Sequence, residues 1–237
     1  MSYKLIDKIA RRYMVIMDKV ISFKIGGEKS PAFLDVKTTY PSLLKIDESF
    51  DVIREELEAL LLQRESIRLV HETIQGHDPI IGWRILYIYF YGINTNIPNQ
   101  ELFPNTIKII NQIPNVVDAW FSVLEPQKSI KAHRGAYRGF IRYHTAFRVP
   151  LENPPKLRVK DEFYTWKESE SVLFDDRHEH QVYNESDDIR VVLIVDVMRP
   201  LPWLLHLLNV VAIKCLIKLY IRPALANKTL ELKGEIL

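Results

Sequence analysis

A series of short apolar segments, separated by turn residues, constrains the fold of this chain more than any other feature. Seven segments are rich in β-branched and aromatic residues and are typical of strands: 85–91, 117–124, 139–149, 157–159, 171–174, 180–183 and 189–198. Short strands that follow one another at such intervals favour an all-β sandwich or barrel over an alternating α/β fold. We therefore predict a mainly β protein.

Helical patterns flank this series. Six apolar residues near the start have helical spacing with a basic opposite face, and Gly26-Gly27 ends that helix: Ile6, Ile9, Tyr13, Ile16, Met17 and Val20. A second helix is predicted near Ser49, and a short one over 103–113, before Pro114. We divide the chain into a helical flank (1–82), a β core (83–200) and an apolar extension (201–237).

The apolar stretch 203–221 resembles a membrane span in length but not in content. Asn209, Lys214 and Lys218 lie within it, together with His206. Each lysine near the centre of a bilayer costs about 2.5–3.5 kcal/mol on insertion scales. We therefore expect a helix that packs on the domain or lies in a membrane interface, with peripheral membrane association through this segment.

Composition narrows the class of protein. The 32 basic and 30 acidic residues nearly cancel, whereas a nucleic-acid-binding protein usually carries a concentrated basic excess. The single cysteine, Cys215, excludes an intrachain disulfide and suits a reducing compartment. Lys4, Asp7 and Lys8 interrupt any apolar core of a secretory signal. We expect no nucleic-acid partner and a cytoplasmic location, at the membrane surface if the last segment binds there.

One candidate metal ligand is His133. Many non-haem iron oxygenases have a His-x-Asp or His-x-Glu pair, completed by a distant histidine. Here the residue two positions after His133 is Gly135, which offers no ligand. Either the site is missing, or it consists of two histidines and additional water.

The segment around His180 favours a two-histidine site. Arg190 follows ten residues later, at the head of an apolar strand, and a buried guanidinium requires an anionic partner. A dicarboxylate that also chelates the metal would provide that partner. His178 shares a strand face with His180, so either could be the ligand. Asp175 and Asp176 could be ligands, or could form turn or hydrogen bonds that orient the histidines.

Three separated motifs resemble the aspartyl/asparaginyl β-hydroxylase family, which includes peptide hydroxylases and bacterial lipid A acyl-chain hydroxylases. They are SVLEPQKSIKAHRGAYRGFIRYH (122–144), FDDRHEH (174–180) and RVVLIVDVMRP (190–200). The resemblance covers about 83–200. It implies a double-stranded β-helix, or jelly-roll, core that binds Fe(II) and 2-oxoglutarate, with O2 as the second co-substrate.

The resemblance also implies residue roles. His133 and His180 would be the catalytic iron ligands, and the family likewise has glycine at the position of Gly135. The residues around 2-oxoglutarate would be Ser122, Arg142, His144 and Arg190. Strand parity independently places Arg142 and His144 on one face, with Phe140 and Ala146.

Other polar and aromatic residues are interpreted as structural. We expect His71, His77 and His206 to be structural or surface residues, Trp83, Trp120 and Trp166 to be core aromatics, and Arg138 to be a solvated surface arginine. The implied reaction hydroxylates the β-carbon of an aspartyl or asparaginyl residue or a lipid acyl chain, with a small metabolite left open. The alternative is a non-catalytic jelly-roll module that binds a carboxylate ligand.

Overall fold

The computed structural model describes residues 3–62, 82–90 and 100–216. The α-helices are α1 (Tyr3–Ile25), α2 (Val36–Thr39), α3 (Leu44–Glu48), α4 (Phe50–Leu62), α5 (Pro104–Ile110) and α6 (Trp203–Leu216). The strands are β1 (Phe33–Leu34), β2 (Trp83–Phe90), β3 (Val116–Leu124), β4 (Ser129–His133), β5 (Phe140–Arg148), β6 (Lys156–Val159), β7 (Glu162–Thr165), β8 (Ser171–Phe174), β9 (His180–Tyr183) and β10 (Arg190–Met198).

The strand pairing defines a jelly roll. The first half of the β series folds back antiparallel on the second half, so that β3 pairs with β10, β4 with β9, β5 with β8, and β6 with β7. Antiparallel pairing of β5 with β10 and of β6 with β9 joins these strands into two sheets. Their strand orders are β1-β8-β5-β10-β3-β2 and β4-β9-β6-β7. This is the double-stranded β-helix that the sequence predicted.

Alternation along the central strand β10 separates two cores. Val191, Leu193 and Val195 pack in the core shared with α3, α4 and α5, whereas Val192 and Ile194 pack between the sheets. Because successive side chains point to opposite faces of a strand, Arg190 and Asp196 lie on the same face as Val192 and Ile194. Both ends of β10 therefore place a charged residue inside the jelly roll.

All seven predicted strands are present, with end shifts of a few residues. The sequence reading missed β1, β4 and β7. The β4 segment carries only one buried apolar residue, Ile130, so it lacks the apolar alternation on which the prediction depended. Part of 203–221, and both His71 and His77, lie outside the described residues.

The helix predicted near the start is confirmed as α1. Two of the apolar residues that defined its pattern, Ile9 and Ile16, are more than half exposed, whereas Ala10, Met17 and Ile21 are buried. The buried row faces α6 and the 137–140 segment.

The C-terminal helix α6 packs on α1, as one of the two sequence expectations had it. Asn209, Ala212 and Ile213 are buried at this contact. Within the part of the chain that the structure describes, none of the helices combines the length and apolarity needed to cross a membrane.

Candidate metal and co-substrate site

Two histidines face each other across the second sheet. His133 ends β4 and His180 begins β9, and their Cα atoms are register partners. The two imidazole rings have centroids 4.1 Å apart. His133 Nδ1 lies 2.8 Å from the Lys131 carbonyl oxygen, and His180 Nδ1 lies 3.0 Å from that of His178. A carbonyl that accepts from Nδ1–H fixes the tautomer whose lone pair is on Nε2, which is how metal-binding histidines are commonly oriented.

His180, and not His178, is the histidine that faces His133. His178 lies in the bend before β9, where its Nε2 is 2.9 Å from Ser30 Oγ. Burial, followed by the charge of His133, holds the pKa of His180 well below its usual range. A neutral imidazole is the form that binds a metal ion.

Gly135 is needed because a carboxylate occupies the space of its side chain. A Cβ on this residue would lie 2.1 Å from Asp176 Oδ2, and the Gly135 N–H donates to the Asp176 carbonyl oxygen over 2.7 Å. Asp176 is fully buried, and neither of its carboxylate oxygens accepts a hydrogen bond among the described residues. Burial raises the pKa of Asp176 to about 7, against the lowering effect of Arg142.

Arg142 lies in an acidic cluster at this end of the interior. Its guanidinium donates to both Asp196 oxygens over 2.8 and 2.7 Å and lies 3.4 Å from Asp176. Asp118 faces Asp196 across the β3–β10 pair, and burial, followed by Asp196, raises the pKa of Asp118 well above its usual value. Burial opposes the charge on Arg142, but Asp196 and then Asp176 raise the pKa of this guanidinium. The protein therefore supplies this arginine with its own anions.

Arg190 lies at the opposite end of β10 in very different surroundings. It is 1% exposed, forms no ion pair among the described residues, and has a 3.4 Å contact from Nη2 to Ser122 Oγ. Its guanidinium carbon lies 4.8 Å from the centroid of the Trp166 ring. Burial lowers the pKa of Arg190 to about 9, so the group remains cationic at neutral pH.

His144 and two aromatic residues connect Arg190 to the histidine pair. The His144 ring stacks on Trp166 at 5.9 Å and meets the edge of Phe174 at 5.0 Å, and Phe174 lies 5.6 Å from His180. Burial, followed by Arg142 and Arg190, holds the pKa of His144 well below its usual range. Neither ring nitrogen of His144 has a hydrogen-bond partner in the part of the chain that the structure describes.

These unpartnered groups test whether a carboxylate co-substrate fits. Buried polar atoms in proteins are normally hydrogen-bonded, yet Arg190 Nε, Trp166 Nε1 and both His144 ring nitrogens have no partner among the described residues. Trp166 contacts both the Arg190 guanidinium and the His144 ring, so these residues lie in one part of the interior, where an anionic, hydrogen-bond-accepting molecule would fit. Among the described residues, no group of three or more His, Cys, Asp or Glu side chains is arranged to hold a metal, so the protein offers a pair.

The structure shows the surroundings of Arg138, the three tryptophans and Asp175, and it corrects the expectation for Arg138. Arg138 is 6% exposed and donates to Glu28 over 2.8 Å, because the turn after α1 covers it; it is not a solvated surface residue. Trp120 and Trp166 are buried, as predicted, and Trp83 is half-buried. Asp175 pairs with Arg199 at 2.7 Å.

Sequence reasoning did not assign roles to three residues of this site. Trp83 donates to Ser122 Oγ over 2.9 Å, Asp196 binds Arg142, and Trp166 covers Arg190. Strand parity could have found Asp196, since Arg190 and Asp196 are an even number of positions apart. No comparable signal marks Trp166, which lies outside a strand.

A family profile described as aspartyl/asparaginyl β-hydroxylase matches residues 47–200, and the chain belongs to this family of hydroxylases. The match includes both histidines, Gly135 and the two arginines. It extends the region suggested by the motifs toward the N-terminus, to include α4.

Two relatives show the range of the family. The chain is 33% identical over 185 residues to the ornithine lipid ester-linked acyl 2-hydroxylase of Rhizobium tropici, an alignment that covers 76% of this chain and 65% of that protein. It is 28% identical over 185 residues to human aspartyl/asparaginyl beta-hydroxylase, covering 75% and 24% respectively. Among solved structures, the cupin domain of Schizosaccharomyces pombe Cnp3 aligns with 55% of this chain and 75% of that one, at 6% identity and a TM-score of 0.35.

Proposed function

We propose that this hydroxylase is an iron(II)- and 2-oxoglutarate-dependent dioxygenase that acts on an unactivated C–H bond. One observation carries the proposal: a facing histidine pair and a buried arginine that has no acidic partner among the described residues share one interior. An ion-binding pair beside an unmatched cation suits a small molecule that chelates the metal at one end and presents a carboxylate at the other.

In this proposal His133 and His180 hold the iron through Nε2. The carbonyls of Lys131 and His178 fix the direction of the two rings. Bound iron(II), with 2-oxoglutarate and O2, supplies the oxidising power that amino-acid side chains lack. The Asp176 carboxylate, which fills the space beside Gly135, would stand near the iron without being one of its two histidine ligands.

The co-substrate carboxylate remote from the metal pairs with Arg190. Ser122 Oγ, already a partner of Arg190, supports the same end, and the neutral His144 ring donates or accepts from the side. Arg142 would stand near the co-substrate with its charge already balanced, because Asp196 takes two of its donors. A bidentate carboxylate at a buried guanidinium offsets the cost of burying that charge.

The apolar lining of the pocket excludes water from the reaction. Val192, Ile194 and Phe174 pack between the sheets, and Trp166 closes the Arg190 end. A dry interior strengthens the electrostatic contacts of the co-substrate and protects a reactive intermediate from solvent.

The substrate is proposed to be a peptide or a lipid. The bacterial relative is named for hydroxylation of a lipid acyl chain, and the human relative for hydroxylation of aspartyl and asparaginyl residues. Because ferrous iron must remain reduced, we propose that the protein acts in a reducing, cytoplasmic setting.

Anaerobic titration with iron(II) and 2-oxoglutarate tests the cofactor assignment. We expect a visible metal-to-ligand charge-transfer band, followed by succinate release when oxygen is admitted. His133→Ala and His180→Ala should each abolish the band. His206→Ala, at a histidine on α6 outside the site, is the matched control and should leave it unchanged.

The result separates this proposal from a non-catalytic module. If folded protein gave no band while 2-oxoglutarate still bound, the pocket would be a carboxylate-binding site without chemistry. If both histidine variants kept full iron affinity, the ligand assignment would be wrong.

A further inference from the structure

Helix α1 has a second apolar side that nothing in the described structure covers. Its buried row contains Ala10, Met17 and Ile21. A separate row is exposed, with Ile9 at 51%, Ile16 at 57% and Phe23 at 91%. An ordinary surface helix has one apolar stripe, facing its core. The exposed row is therefore in excess of what packing requires.

Helix α6 repeats this arrangement. Asn209, Ala212 and Ile213 face the domain. Its outer side is apolar, with Trp203 74% exposed and four more exposed residues: Leu204, Leu207, Leu208 and Val211. Tryptophan at the end of such a helix is typical of segments that lie at the boundary between lipid and water.

The two exposed rows are neighbours. Tyr13 Oη donates to the Leu208 carbonyl oxygen over 2.7 Å, which joins the helices at that point. Ile9 and Ile16 lie four residues before and three residues after Tyr13, and so share its side of α1. The apolar rows of α1 and α6 thus form one surface, here called the α1–α6 face.

Positive charge accompanies the α1–α6 face. Five basic residues of α1 are exposed: Lys8, Arg11, Arg12, Lys19 and Lys24; Lys214 is exposed on α6. Asp18, by contrast, turns inward, where it accepts from the Arg138 N–H over 2.8 Å and pairs with Arg177 at 3.4 Å. An apolar surface bordered by lysine and arginine matches an anionic lipid headgroup layer above acyl chains.

The same helix borders the candidate site. A cavity of about 550 Å³ lies between α1 and the loops that follow β4 and β8, with Arg11, Val15 and Lys19 on one wall and Ala136, Tyr137 and Arg177 on the other. Arg177 Nη1 donates to the Gly135 carbonyl oxygen over 3.1 Å. Gly135 is two residues from His133, so this cavity lies close to the loop that leaves the histidine pair.

We propose that the α1–α6 face docks on an anionic lipid bilayer and holds the candidate site close to the membrane surface. The helices lie in the interface, with the apolar rows in the acyl boundary and the basic residues among the headgroups. Docking of this kind gives the site access to a lipid from the bilayer; that consequence for the substrate rests on the proposed function, whereas docking does not.

Vesicle flotation of the full chain tests docking. We expect the protein to float with phosphatidylcholine vesicles that contain phosphatidylglycerol, and much less with phosphatidylcholine alone or at high salt. Combining Ile16→Ser with Phe23→Ser should weaken binding at least about tenfold, because two apolar side chains leave the acyl boundary. Arg12→Glu with Lys19→Glu should abolish the preference for anionic vesicles.

A matched control uses apolar residues exposed elsewhere. Leu151 is 97% exposed and Phe163 60% exposed, and both lie on the jelly roll. Combining Leu151→Ser with Phe163→Ser should leave flotation unchanged. Equal loss in both double variants, or no binding of the parent chain to anionic vesicles, overturns the proposal.

A second copy of the chain is the alternative partner of the α1–α6 face. If Ile16→Ser with Phe23→Ser converted a dimer to a monomer in light scattering and left flotation unchanged, the face would be an interface between copies, and the proposal would fail. Circular dichroism and urea unfolding of the same variants show whether they are folded. Flotation requires neither iron nor 2-oxoglutarate, so its outcome is distinguishable from failure of the proposed chemistry.

Discussion

The jelly-roll interior contains two buried arginines in opposite electrostatic surroundings. Arg142 on β5 donates to both Asp196 oxygens and lies near Asp176, whereas Arg190 on β10 contacts Ser122 and the Trp166 ring and has no carboxylate partner among the described residues. Both point to the same side of the same sheet. The described residues therefore supply anions to the first arginine and none to the second.

The difference follows from what it costs to bury a charge. The effective penalty for an ion inside a protein is several kcal/mol, and a partner must offset it. At Arg142 the protein provides carboxylates. At Arg190 a cation–π contact with Trp166 offsets part of the penalty, at about 2 kcal/mol for a desolvated pair. A ligand carboxylate would offset the remainder, so binding and burial are linked at Arg190 only.

The largest expected effect is on Arg142. Arg142→Met removes the cation from among Asp118, Asp176 and Asp196, and uncompensated buried charges of this kind destabilise a fold by about 3–5 kcal/mol. Urea unfolding of the protein without metal should show the loss. A change below about 1 kcal/mol would mean that the acidic residues are already protonated. Arg142 would then have no charged partners, and the contrast with Arg190 would be wrong.

The matched substitution at Arg190 should weaken ligand binding without lowering the stability of the fold. Arg190→Met removes an unpaired buried cation, so the free energy of unfolding without ligand should stay the same or rise. Affinity for 2-oxoglutarate should fall by at least about 30-fold, or about 2 kcal/mol, as for one partner of a buried charge pair. Calorimetric titration checks the affinity. Unchanged affinity would remove Arg190 from the co-substrate site.

A third substitution disturbs the acidic end without removing a charge. Gly135→Ala places a methyl group 2.1 Å from Asp176 Oδ2, and overpacking of this kind costs about 1–3 kcal/mol. We also expect weaker iron binding, because His133 is two residues away. In a double-mutant cycle, Asp176→Ala should relieve most of the stability loss. Additive losses would show that the two residues do not compete for space.

The strand series made the fold predictable, because apolar segments such as 189–198 carry their own signal. The sequence was less informative about individual elements. β4 has one buried apolar residue and so no detectable alternation, and the exposed row of α1 has the same spacing as a core face. Helical periodicity shows that a face is apolar, not what it contacts.

The candidate site was predictable only where residues occur in motifs. His133 and His180 were named from their motifs, and the structure brings them together. The partners of Arg142 and Arg190 depend on tertiary contact: nothing in the sequence indicates that Asp196 pairs with the former and Trp166 covers the latter. The burial of Arg138 was missed for the same reason, since it depends on Glu28, far away in the chain.

The smallest expected effect concerns His144, which lies between the two arginines. Its pKa is lowered in the folded state by burial, then by Arg142 and Arg190, so below the usual value of 6.5 the unfolded chain binds a proton that the folded chain does not. Stability should therefore fall as pH falls, at up to about 1.4 kcal/mol per pH unit for one such proton.

His144→Phe keeps a ring against Trp166 and Phe174 and removes this proton. The parent chain should lose stability relative to the variant between neutral and acid pH in urea unfolding without ligands. Because His180 is present in both chains, its titration cancels in the difference. Parallel pH profiles would mean that His144 is protonated as readily in the folded chain as in the unfolded one, and so that the two arginines do not act on it.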